Sequence, residues 1–76
     1  MQIVEVQWVD SAGEQGWHDP KLSLRSFDSL LIHSVGYLLE DTDRGVCLVM
    51  GYGNDLHLDS LVIPRSAIQS VEVIRA

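Results

Sequence analysis

Seventy-six residues allow one domain, spanning 1–76. With 46% hydrophobic and 21% charged residues the chain is too apolar to stay disordered. Five basic against eleven acidic residues leave a net charge of −6, the wrong sign for a binder of long DNA or RNA. A single cysteine excludes an intrachain disulfide framework and any multi-cysteine metal knuckle.

A domain this short buries a small core, and self-association is a common remedy. The opening Met1-Gln2-Ile3-Val4-Glu5 has no basic segment ahead of an apolar run, so no secretory leader is expected. No run of 18 apolar residues is present to span a membrane. The expectation is a cytoplasmic protein.

Ile3 to Val9 reads as a strand, with Val4, Val6 and Trp8 on one face and Glu5 and Gln7 on the other. Asp10 to Gly16 is turn-rich and ends it. Trp17 to Asp28 has no clean period, and Asp19 before Pro20 disfavours helix there. A long ordered loop, with at most one helical turn, is expected over that segment. Leu30 to Glu40 is the longest apolar stretch. Leu favours helix, but Ile32, Val35, Tyr37 and a central Gly36 favour one long strand bent at the glycine.

Asp41 to Gly45 is expected as a hairpin loop, with Val46 to Tyr52 the return strand, apolar on both faces. Gly51 to Asp55 is a second hairpin loop. Leu56 to Ile63 is the next strand, with Leu56 and Leu58 alternating against His57 and Asp59. Pro64 stops it, because proline cannot donate to a ladder. Pro64 to Ala67 fits one helical turn, and Ile68 to Ile74 is the last strand. The sum is an all-β fold: a small five-stranded, partly open SH3-like or Sm-like barrel, with one short helical turn before the last strand.

Cys47, between Val46 and Leu48, is expected as a buried small hydrophobe. His57 and Asp59 share a strand face, but a catalytic zinc commonly takes three protein ligands, so a solvated face is the better reading. His33 is expected at the edge of the core. Serine, histidine and aspartate all occur, yet there is no nucleophile elbow, no phosphate loop of the Gly-x-x-x-x-Gly-Lys type and no Gly-x-Gly-x-x-Gly. No enzyme, cofactor or metal site is expected. Trp8 belongs to the core, on the face of Val4 and Val6. Trp17 either plugs the open end of the barrel or offers a flat face to a planar ligand, and Tyr52 sits at a hairpin. Lys21, Arg25, Arg44, Arg65 and Arg75 are scattered. Surface pairing with the abundant acids is the ordinary reading of each, and contact with a phosphate the sharper one.

Val6-Gln7-Trp8-Val9-Asp10-Ser11, Gly16-Trp17, Ser34-Val35-Gly36-Tyr37-Leu38-Leu39-Glu40, Val62-Ile63-Pro64 and Ile68 together resemble a widespread group of small bacteriophage proteins, most of them uncharacterised. The resemblance covers almost the whole chain, and it implies a Sm-like or SH3-like barrel acting in the cytoplasm of the infected bacterium. It also implies an accessory protein, and small oligomeric phage proteins include some that sequester nucleotide signals of host immunity. The leading expectation is therefore a homo-oligomer that holds a small cyclic nucleotide or an ADP-ribose-type signal. Trp17 or Tyr52 would stack the base and Arg44 or Arg65 contact the phosphate. The alternative is a protein-binding adaptor in phage assembly or replication, working through an exposed sheet edge. Leu61-Val62-Ile63 is the candidate edge, apolar and without a lysine to blunt it.

Overall fold

The computed structural model describes residues 1–10 and 30–76. Five strands form one antiparallel sheet: β1 (Ile3–Asp10), β2 (Leu30–Thr42), β3 (Gly45–Gly53), β4 (Leu56–Pro64) and β5 (Ile68–Arg75). Their order across the sheet is β4-β3-β2-β1-β5. A 3-10 turn, Arg65–Ala67, joins β4 to β5 with Pro64 as its N-cap. The expected long loop from Trp17 to Asp28 lies outside the described residues. No described helix is long and apolar enough to cross a membrane.

Thirteen residues long, β2 serves two neighbours in turn. It pairs with β1 from Leu30 to Tyr37, and with β3 from Tyr37 to Thr42. The register irregularity in β2 falls between Leu38 and Glu40, three residues after the glycine where the sequence places the bend. Gly36 has a different duty. A Cβ there would stand 3.1 Å from both the Leu48 Cβ and the Val49 carbonyl oxygen. Absence of a side chain lets β2 lie this close to β3 where it changes partner.

The two hairpins are tighter than the sequence loops imply. Between β2 and β3 only Asp43 and Arg44 turn the chain, and the Arg44 N–H donates to Thr42 Oγ1 at 3.2 Å. Gly45 follows because a Cβ there would collide with the Ile63 carbonyl. Between β3 and β4 the turn is Asn54-Asp55, with φ of 50° and 62°. Asn and Asp tolerate positive φ better than other side chains, and a two-residue turn of this hand matches the twist of the flanking strands.

The core is a cluster of Val4, Val6, Val46, Leu48 and Ile63, with Trp8, Leu38, Ala67, Ile68 and Val71 packed around it. Ile63 and Val71 come from the two edge strands, β4 and β5. Both edges therefore reach one cluster, which requires the sheet to curl about it, yet the sheet is not closed. Alternation in β1 places Val4, Val6 and Trp8 inward, as the period-two pattern predicts. The Trp8 indole N–H donates to Ser34 Oγ at 3.0 Å, so this partly buried polar group is satisfied.

Two expectations about single residues change. Cys47 is only half-buried, because it alternates with the core residues Val46 and Leu48 and so lies on the other face of β3. His33 is exposed rather than at the core edge, because it pairs opposite Gln7 on the outward face, where its Nδ1 lies 3.7 Å from Glu5.

Candidate binding surface

Of the described residues expected to hold a ligand, Arg44 and Arg65 lie together and Tyr52 lies apart from them. Tyr52 lies near the end of β3, about half exposed, with its ring edge-on to Tyr37 at 5.0 Å and 83°. Its hydroxyl accepts from the Met1 amino group at 3.3 Å. Arg44 is exposed in the turn that precedes β3. At roughly 3.3 Å per residue, Tyr52 and Arg44 stand about 26 Å apart along the strand. Trp17 lies outside the described residues.

Arg65 is near Arg44, not near Tyr52. Its backbone N–H donates to the Arg44 carbonyl at 3.0 Å, which fixes the 3-10 turn against the β2–β3 hairpin. Its guanidinium pairs with the Asp41 carboxylate and donates to the Thr42 carbonyl. The ordinary reading of this arginine, an ion pair with a neighbouring acid, is the one the structure displays. Both side chains are about two-fifths exposed, so solvent screens the pair and its worth is about 0–1 kcal/mol.

His57 and Asp59 are both exposed. Among the described residues no group of three His, Cys, Asp or Glu is placed to hold a metal ion.

The displayed surface is instead apolar. In β4 only Ile63 is buried, while Leu56, Leu58, Leu61 and Val62 are exposed, as are Met50 and Tyr52 on the neighbouring β3. A groove of about 420 Å³ runs from the start of β1 across the middle of β2, β3 and β4, past Ile3, Val35, Tyr37, Met50, Asp59 and Leu61. Among the described residues its one charged lining residue is Asp59, and none is basic. Asp59 has φ of 47°, a left-handed conformation inside a strand. An interior strand residue held in that region is strained, so Asp59 is a local break in β4, with the register against β3 kept on both sides of it, Val49↔Ser60 and Gly51↔Leu58. No alternation pattern signals such a break. Aspartate at a strand position reads as an ordinary solvated side chain.

No protein-family model matches this sequence, no curated protein matches it, and no solved structure matches the fold.

Proposed function

We propose that the chain is a non-enzymatic phage accessory protein that acts by capture, withholding a small nucleotide-type signal of host defence in clefts between copies. The phage setting rests on the sequence resemblance. The strand order, with a 3-10 turn between the fourth and fifth strands, accords with the SH3-like or Sm-like barrel implied by that resemblance. The observation that supports binding through an assembly is the exposed apolar β4 side of the sheet. Surfaces of this kind mark association sites in soluble proteins. A negative net charge does not oppose a phosphate held in a local cleft that is itself positive.

One observation favours a second reading, the protein-binding adaptor. Among the described residues the groove beside β4 is apolar with Asp59 as its charged residue, a lining that suits an extended peptide better than a phosphate. Isothermal titration against cyclic dinucleotides, cyclic oligonucleotides and ADP-ribose derivatives separates the two. Saturable micromolar or tighter binding of one of these compounds is expected for capture. A flat response across all three classes refutes it and leaves the adaptor.

A further inference from the structure

We infer that an extended segment of another protein, with an aromatic residue between basic ones, adds a strand to the edge of β3 where β2 and β3 part. This goes beyond the capture of a signal and rests on the adaptor reading.

Hydrogen-bond direction locates the open edge. The Leu38 N–H donates to the Gln2 carbonyl, in register with the β1–β2 ladder. Even-numbered residues of β2 up to that point therefore turn their backbone groups toward β1, and Leu31, His33 and Val35 turn theirs toward β3. The Arg65 N–H donates to the Arg44 carbonyl, in register with the β3–β4 ladder. By the same alternation Gly51 and Gly53 turn their N–H and C=O groups toward β2. Yet the β2–β3 ladder stops at Tyr37↔Val49. Among the described residues, Gly51 and Gly53 on one strand and Val35 and His33 on the other have no ladder partner on those sides. Open strand edges are templates for a further strand.

The same two glycines leave room for a ligand. Among the described residues a Cβ at Gly51 or Gly53 meets nothing within 4 Å, and neither residue has a positive φ. Neither crowding nor backbone conformation calls for glycine there, and glycine weakens a strand. A strand glycine of this kind marks a place where another molecule approaches the backbone. Its missing side chain belongs to the outer face, because residues 51 and 53 alternate with the core residues Val46 and Leu48. Opposite the glycines on β4 stand Leu58 and Leu56, 56% and 73% exposed. A partner's aromatic ring at the new strand leans across the bare β3 backbone toward these leucines. Aromatic side chains cover edge glycines in this way across strands.

Charge narrows the partner further. Glu5 lies opposite Val35, Glu72 lies opposite Glu5, and Asp59 lines the groove where the strands part. Among the described residues two basic side chains share this outer face near them, Arg75 opposite Ile3 and His33 at 3.7 Å from Glu5. Three acids against one permanent cation leave the surroundings negative. A second copy laid on this face brings like charges together, whereas lysines or arginines flanking the ring meet the acids.

The probe is the amidated peptide Lys-Val-Thr-Phe-Thr-Val-Lys, with the same peptide ending in glutamates as its control. Titration into the full chain is followed by amide NMR. The lysine peptide is expected to bind saturably at millimolar concentration or below. It is expected to shift the Gly51 and Gly53 amides and to slow their hydrogen exchange. The glutamate peptide is expected to bind at least tenfold more weakly. Gly51→Val, with its Cβ in open space, and Leu58→Lys, at an exposed position, are each expected to keep the circular dichroism spectrum of the wild type. Each is expected to weaken the lysine peptide at least tenfold, and Val73→Lys, on β5, to leave its affinity within twofold. Absence of saturable binding, equal affinity for the two peptides, shifts that spare both glycines, or undiminished affinity in Gly51→Val and Leu58→Lys each overturns the proposal. So does a concentration-dependent shift of both glycines without peptide at a doubled mass, because a second copy then covers the edge. A bacterial protein captured equally by the wild type and by both variants removes this site and leaves the adaptor reading standing.

Discussion

Placing a side chain on Gly36 tests the passage of β2 from one partner strand to the next. A Cβ at this position stands 3.1 Å from the Leu48 Cβ and 3.1 Å from the Val49 carbonyl oxygen. Both are stiff neighbours. Leu48 and Val49 are buried, and their backbone is held between β2 and β4. Two effects oppose each other in Gly36→Ala. Restricting the unfolded chain stabilises by about 0.4–1 kcal/mol, and crowding a packed site destabilises by about 1–3 kcal/mol. The net expectation is a loss of about 1 kcal/mol. Gly36→Val adds two methyl groups against the same neighbours, so a loss of about 2–3 kcal/mol is expected. At roughly 4–8 °C per kcal/mol for a domain this size, the valine variant melts at least about 8 °C below the wild type. Urea unfolding followed by tryptophan fluorescence, at one fixed protein concentration, reads the difference as a lower midpoint at unchanged slope. Equal midpoints for wild type and Gly36→Val, or an alanine variant more stable than wild type, would show that β2 and β3 are not in close contact at this point.

Ser34→Ala removes the acceptor of the Trp8 indole N–H and is expected to destabilise by about 1 kcal/mol in the same urea assay. Ile63→Ala, at a fully buried position, is expected to lose about 2–5 kcal/mol, whereas Val35→Ala, 60% exposed on β2, stays within about 0.5 kcal/mol. Equal losses at the two sites would mean that the core is misplaced. Arg65→Gln removes the exposed pair with Asp41, so a loss of up to about 1 kcal/mol is expected, and it should shrink when the urea titration is repeated in high salt.

Strand content and strand order of appearance were legible because the signals are local. The inward Val4, Val6 and Trp8 follow from alternation, and Pro64 marks the 3-10 turn through its fixed φ and missing N–H. Less legible was the length of the hairpins. Gly45 and Gly51–Gly53 look like turn residues, yet they are strand residues, and the turns are Asp43-Arg44 and Asn54-Asp55. Glycine at a close approach and glycine in a turn look alike in a sequence. The irregularity at Leu39 was hidden for a related reason, since a leucine carries no sign of a register shift. The groove was hidden because its lining is drawn from four strands, β1 to β4, and no local pattern shows which residues they bring together. The separation of Tyr52 from Arg44, to which Arg65 is tied by its backbone hydrogen bond, needed no tertiary detail. Once the return strand is recognised, its length alone holds them apart.

The place of β1 in the sheet determines the order in which the fold can be assembled. Its two ladders run to β2 and to β5, so Val6 is matched with Ser34 on one side and with Val71 on the other. The β2–β3–β4 meander, by contrast, is joined by turns of two residues each and closes at little entropic cost. On a growing chain the meander is therefore the first piece able to form, and β1, although synthesised earliest, must wait for the last strand before Val4 and Val6 are covered on both flanks. Pairings between the two ends of a chain are slow to find. In the interval the solvent-exposed leucines of β4 are already presented, so a nascent or freshly unfolded molecule displays this apolar strand before it has finished folding.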